Sequence, residues 1–441
     1  MGLLERLFGS SSTPEPQPDI SFGRYSDSYK GDQNFQAWND SLRLFEDEKY
    51  LESYEAFFKY LRDEHEDNVR YWEEDGGMRF EFYQGSKKIT GTANHDKLKA
   101  EARIARTQSL NVGFMRRLIE KNFSLKYSRF ALDANDNLTI VFDTYSLDGS
   151  PYKLYYALKE VATNADKQDD LLLDEFRMLE AVETSHLTQL PQPEKEAKYT
   201  FITNAIRKVM EEIDENKLDR DQYPGGIAYL LLDLVYMLDY LVKPEGYMME
   251  TLEHAHRVYF KKDGRTTALK NINLQKELQK LLKRPRDEFF KEMYRVKSTF
   301  GITNPVNHDR VVSFIDGELH HMDWYLDNGY PNVAMAIPGY IVGYCLFNYA
   351  IPKPDHDLFH LYYQITQAEY FRDLGFSVPF RDGDRLNKRA IRKAIEEIVE
   401  ENGRNFSRLH PSYSSLQYES LPSFAKSFLH MVRQLDMTKS D

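Results

Sequence analysis

Two proline-rich stretches constrain this chain more than any other feature. Ser10–Asp19 (SSSTPEPQPD) and Thr188–Glu196 (TQLPQPEKE) are polar and carry neither the helical nor the strand hydrophobic repeat. They divide the 441 residues into an N-terminal segment (1–20), a first folded unit (21–186), a linker (187–197) and a second unit (198–441). Each unit is long enough to bury its own core. Hydrophobic residues at 41% and charged residues at 29% are the proportions of chains that do so.

In the first unit, Asn34 to Arg62 shows helical spacing through Trp38, Leu42, Phe45, Tyr50, Tyr54, Phe57, Phe58 and Leu61. Val69 to Trp72 is β-prone but short and reads as a lead-in. Met78, Phe80 and Phe82 alternate with Arg79, Glu81 and Tyr83, which predicts a strand after a turn at Gly76-Gly77. A second turn at Gln84-Gly85-Ser86 leads to Lys87–Thr92. Lys97 to Arg106 is rich in helix formers, yet Leu98, Ala100, Ala102 and Ile104 alternate strictly with Lys99, Glu101 and Arg103, so a strand is expected. Leu110–Asn122 reads as a helix with Val112, Met115, Leu118 and Ile119 inward. Leu125–Leu132 and Leu138–Tyr145 form a hairpin about Asp133-Ala134-Asn135-Asp136-Asn137. Pro151 behind Ser150 opens a helix over Tyr152–Thr163, and a last helix is expected at Asp169–Glu183.

The fold class expected is therefore an α+β unit of order α-β-β-β-α-β-β-α with an antiparallel sheet, followed by a mostly α-helical unit. That order, carried by Met78–Thr92, Leu110–Phe142 and Ser150–Ala162, resembles the type III secretion chaperone fold and its YbjN-like relatives, a family of putative bacterial sensory transduction regulators. The resemblance covers under a third of the chain and implies small dimers that bind other polypeptides.

The second unit contains two diverged copies of one pattern. Tyr223-Pro224, an apolar helix, Lys243-Pro244, a helix ending Tyr259-Phe260 and Lys262-Asp263-Gly264 form the first. Tyr330-Pro331, an apolar helix, Lys353-Pro354, a helix ending Tyr370-Phe371 and Asp373-Leu374-Gly375 form the second. A period of about 107 residues suggests stacked α-hairpins. Val333–Pro352 has no charge over the length a bilayer requires, but its prolines, glycines and tyrosines predict a buried core helix from near Pro338 instead of an integral membrane span.

Net charge of -12, from 70 acidic and 58 basic side chains, argues against a nucleic-acid partner. The basic stretch Lys280–Asp287 reads as a solvated helix end. The single cysteine, Cys345, sits among apolar neighbours and implies no disulfide. Tyr 30 and Phe 27 against Trp 3 suit either half-buried core positions or protein contacts.

His356 and His360 share one helix face, and His308-Asp309, His320-His321 and the His254/His256 pair lie in the same unit. A helical unit with His-Asp dipeptides is similar to the HD-type metal-dependent phosphohydrolases, but Ile351–Asp355 interrupts the family pattern before His356. Phosphate loops, HExxH, GxSxG and paired cysteines do not occur. No catalytic, cofactor-binding or metal-binding residue is assigned and no cofactor is expected. The leading expectation is a non-enzymatic protein-interaction protein of the bacterial cytoplasm, an adaptor or chaperone-like chain whose first unit forms a homodimer or takes an unidentified protein partner. Two alternatives stand beside it: a metal-dependent hydrolase using the histidines, and a membrane-surface regulator tethered by the amphipathic segment Met1–Phe8.

Overall fold

A computed structural model describes residues 17–107, 112–175, 179–182, 185–215 and 218–439; the expected tether at Met1–Phe8 lies outside them. The first unit opens with a helical hairpin, α1 (Asp32–Glu46) and α2 (Tyr50–Leu61), where one helix pattern was expected. The break falls at Glu48, whose φ is 62°, a conformation no helix accommodates. Ser41 and Ser53 close the hairpin, each hydroxyl donating to the other's carbonyl at 2.8 Å.

Beyond the hairpin the chain builds a sheet. Its strands are β1 (Val69–Glu74), β2 (Gly77–Gln84), β3 (Lys87–Ala93), β4 (Lys97–Thr107), then α3 (Val112–Asn122), β5 (Arg129–Leu132), β6 (Asn137–Tyr145), α4 (Pro151–Glu175) and β7 (Leu179–Ala181). The strand order is β1-β2-β3-β4-β6-β5, with β7 pairing the end of β4, and every pairing is antiparallel. Lys97–Thr107 is thus a strand, as its alternation requires. The Val69 lead-in is a full edge strand, and the two pieces expected for the last helix are one helix followed by β7.

Register makes the sheet two-faced. Val69, Phe82, Ile89, Ala102, Ile140 and Phe130 are successive cross-strand neighbours and all are buried. Onto this face α4 sets Leu154, Ala157, Leu158, Val161, Ala162 and Ala165, a stripe at helical spacing with no exposure. Burial of such side chains contributes about 1.5–3 kcal/mol for each large one.

The second unit is helical: β8 (Thr188–Gln189), α5 (Gln192–Glu215), α6 (Pro224–Val242), α7 (Gly246–Phe260), α8 (Thr267–Lys283), α9 (Arg286–Lys291), β9 (Tyr294–Arg295), then α10 (His308–Glu318), α11 (His321–Asp327), α12 (Pro331–Asn348), α13 (Lys353–Thr366), α14 (Ala368–Asp373), α15 (Lys388–Asn402) and α16 (Leu421–Arg433). Residues expected as a linker are ordered: β8 pairs with β9, and α5 begins at Gln192. Helix α12 starts at Pro331 and carries Pro338 inside it, seven residues earlier than expected, because Pro331 occupies the N-terminal position where its missing N–H costs nothing. The apolar helices that follow Tyr223-Pro224 and Tyr330-Pro331 lie side by side in one core. Their close approaches, Gly226 to Val333 and Asp233 to Gly339, advance together, so α6 and α12 run parallel. Helix α6 is apolar and long enough to cross a bilayer, and most of it is buried in this core.

The units exchange anchors. Ile20 and Phe22, ahead of α1, pack on the helical core, with Phe22 5.2 Å from the His360 ring and 5.1 Å from Phe371. In return a strap after β9 lies along β2: Gly85 N–H donates to the Lys297 carbonyl at 3.0 Å, and Thr299 donates to the Tyr83 carbonyl at 2.8 Å. Phe300 enters the sheet's core, 5.8 Å from Phe82 and 5.5 Å from Tyr155.

Candidate protein-interaction surface

The outer face of the sheet is built from the alternate residues of the same strands. Arg70, Glu81, Thr90, Glu101, Val141 and Arg129 form one cross-strand row, and Trp72, Arg79, Thr92, Lys99 and Asp143 the next. Its charges pair with one another. Arg70 faces Glu81 at 3.8 Å, Lys99 faces Glu101 at 2.7 Å, Arg129 faces Asp143, and Arg79 faces Glu74. Exposed pairs of this kind add about 0–1 kcal/mol each, so they shape the face more than they stabilise it.

Arg79, Glu81 and Arg129 share this face as expected from the strand period. Tyr83 also points there, but the strap and the His186 ring cover it to 7% exposure. Tyr127 lies in the loop before β5, which begins only at Arg129. The exposed aromatics on the face are instead Trp72, 45% exposed on the strand that was read as a lead-in, and Tyr145 at the end of β6, 61% exposed.

Most of the large apolar side chains that remain exposed belong to the first unit. Helix α3 concentrates them. Phe114 and Leu118, four apart, turn into the core at 0% and 4% exposure, whereas Val112 and Ile119, seven apart, face solvent at 85% and 66%. The expectation that Val112 and Ile119 point inward is thereby corrected. The helix has apolar residues on two opposite faces, and the face bearing the phenylalanine takes the core because it removes more area from water. Phe123, just past the helix end, continues the outer stripe and is 96% exposed.

Glu160 on α4 clamps the loop that leads from Phe123 into β5. Its carboxylate accepts from the N–H groups of Lys126, Tyr127 and Ser128 at 2.8–2.9 Å and from the Ser128 hydroxyl at 2.8 Å. Burial works to raise this carboxyl, but those donors hold it below the usual carboxylate range. One turn earlier on the same face of α4 stand Tyr156 and then Tyr152, each 56% exposed. The clamp therefore holds the Tyr127 backbone one helical turn from Tyr156, while Tyr152 packs edge-on against Trp38 of α1 at 5.1 Å. An apolar patch carried on a rigid sheet-and-helix base is the composition that protein contacts use.

The histidines of the second unit fall in several places and do not converge on one site. Burial lowers His256 and His360 to about 4 each, so both are neutral hydrogen-bond partners at neutral pH. His256 Nδ1 meets the Tyr236 hydroxyl at 2.8 Å and His360 Nδ1 meets the Tyr240 hydroxyl at 3.0 Å. His308 pairs with Asp355 at 2.9 Å, not with its neighbour Asp309. His356 contacts Asp357, the His320 and His321 rings lie 3.9 Å apart at a 40° tilt, and His254 is exposed. Among the described residues no three of His, Cys, Asp and Glu stand together so as to hold a metal ion. Cys345 is buried, which pushes its thiol far up. The basic stretch is neutralised in place, Arg284 gripping Glu292 and Arg286 reaching Glu196.

No family model and no curated protein matches this sequence.

Proposed function

We propose that this chain is a non-enzymatic protein-interaction protein, an adaptor or chaperone-like scaffold of the bacterial cytoplasm, that engages its partner through the first unit. The exposed stripe of Val112, Ile119 and Phe123 is the observation that carries this reading. A stripe of this size in contact with water costs solubility unless a partner covers it. The antiparallel sheet and the resemblance of its element order to secretion chaperones support the same reading, including self-association as one form of partnership. The histidines offer the hydrolase alternative no metal cluster among the described residues.

A photo-crosslinking residue placed at Ile119 or Phe123 of the full chain, expressed in its native cell, tests this. A discrete adduct at these positions, and none at the solvent-facing Arg389 of α15, is expected. Equal labelling at all three positions would sink the assignment.

A further inference from the structure

A second feature stands apart from the interaction surface: an unpaired carboxyl in a groove of the helical unit. The groove, about 630 Å³, runs between α5, α6, α12 and α13, and Asp233 of α6 lines it. Asp233 is half-buried and forms no hydrogen bond or ion pair with any described residue. Enclosing a lone carboxylate costs several kcal/mol by the general rule, and burial accordingly pushes this group up to about 8.

Its seat is specific. A Cβ on Gly339 of α12 would lie 2.2 Å from Asp233 Oδ1, so any larger residue there would displace the carboxyl. One turn along α12, a Cβ on Gly343 would lie 2.9 Å from the Tyr363 hydroxyl. That hydroxyl is buried and also has no hydrogen-bond partner among the described residues. An unpaired carboxyl and a buried phenolic oxygen therefore rest against glycines one turn apart on α12. Aromatic rings wall the same groove, with Phe201 stacked on Tyr370 at 4.0 Å and Tyr362 fully enclosed. The rim carries both signs: Lys208 and Glu212 on α5, Glu369, Arg372 and Asp373 on α14, and Arg381 beyond it.

One carboxylate and one phenol are too few oxygens for a divalent cation, which takes about six. A carboxylate also repels anions. An ammonium group suits the Asp233 carboxylate among these rings, because it donates hydrogen bonds and is attracted to aromatic faces. We propose that the Asp233 groove binds a small organic molecule through a primary ammonium group, which donates to the Asp233 carboxylate while its apolar body lies against Phe201, Tyr362 and Met237.

Calorimetric titration of the full chain at neutral pH with phenethylamine, and with 2-phenylethanol as its uncharged counterpart, tests the site. Saturable amine binding, about tenfold or more tighter than the alcohol, is expected, because the charge pairs with an enclosed carboxylate. Binding should release a proton, read as a buffer-dependent enthalpy, since the ammonium draws Asp233 into its charged form. Asp233→Asn should weaken the amine about tenfold or more and leave the alcohol unchanged. Gly339→Ala, which alters no charge, should weaken it as well. No saturable binding to the unmodified protein, equal binding of amine and alcohol, or unchanged affinity in a folded Asp233→Asn protein each overturns the proposal. The comparison of amine with alcohol uses the unmodified protein, so it decides the matter even where a variant fails to fold.

Discussion

The Arg24 guanidinium grips the Asp239 carboxylate with two parallel bonds, Nε to Oδ2 at 2.9 Å and Nη2 to Oδ1 at 2.7 Å, and lies 3.9 Å above the Phe347 ring. Arg24 belongs to the segment ahead of α1 and Asp239 to the central helix of the other unit. Glu253 of α7 extends the network, accepting from Arg24 at 3.3 Å and from Lys167 of α4 at 3.3 Å. The pair is enclosed, with side-chain exposures of 14% and 5%.

Removing one member of an enclosed ion pair strands the other, at a cost of about 3–5 kcal/mol. Arg24→Met should therefore destabilise the full chain by roughly that amount in urea unfolding. A loss under about 1 kcal/mol would mean that water already screens the pair.

Phe300 is the reciprocal anchor, a residue of the second unit that completes the first unit's core. Phe300→Ala should cost about 3–5 kcal/mol, as for a phenylalanine removed from a packed core. Because each unit holds part of the other, fluorescence and circular dichroism should report a single unfolding transition. Two transitions, with only one moved by Phe300→Ala, would show the units to be independent.

Element type was legible where one period dominated. The strict alternation of Leu98, Ala100, Ala102 and Ile104 outweighed their helix propensity, since a sheet face had to be filled. β1 was legible too, and the signal was Asp75-Gly76. Both residues have positive φ, 51° and 71°, the requirement of the two-residue turn that joins twisted strands. Reading the turn one residue late, at Gly76-Gly77, hid the strand before it. The two faces of α3 could not be ranked from spacing, because Val112 with Ile119 and Phe114 with Leu118 are equally good helical pairs. Nor does any local pattern reveal that Phe300 or Arg24 crosses between units, because those contacts join residues more than 200 positions apart. Asp233 in an apolar helix was equally silent; only the glycines of α12 across the groove give it meaning.

Stability should depend on pH through groups shifted in opposite senses. Asp233 keeps its proton up to about 8, whereas in the unfolded chain it would lose it near 4. Its contribution is thus fully present at low pH and lost as pH rises through about 8, with a slope of about 1.4 kcal/mol per unit between those values. His256 and His360 stay neutral down to about 4, while unfolded histidines protonate near 6.5. Their contributions are present above about 6.5 and lost as pH falls toward about 4. From about 6.5 to 8 only Asp233 of these three acts, so Asp233→Asn should flatten the decline of stability there. A parallel decline in both proteins would show that Asp233 is solvated. Below about 6.5 the paired variant His256→Gln with His360→Gln should lose less stability than the unmodified chain.

Glu160 allows the interaction surface to be loosened without touching its apolar residues. The carboxylate holds four donors of the α3–β5 junction, and its value is held down, so its contribution exists above the unfolded carboxyl value and is lost as pH falls through the folded one. Glu160→Gln keeps the shape but replaces two charged acceptor oxygens by one neutral oxygen and an amide that cannot accept. Hydrogen bonds to a charged group contribute about 1.5–3 kcal/mol, so a global loss of about 1–2 kcal/mol is expected. Amide exchange at Lys126, Tyr127 and Ser128 should accelerate by about tenfold or more, since those N–H groups lose their acceptor. Crosslinking from Phe123 should fall in the same variant while crosslinking from Val112, at the far end of α3, persists. Unchanged exchange at the three amides would show that the loop holds its place without Glu160, and the patch would then owe its shape to the packing of Phe114 and Leu118 alone.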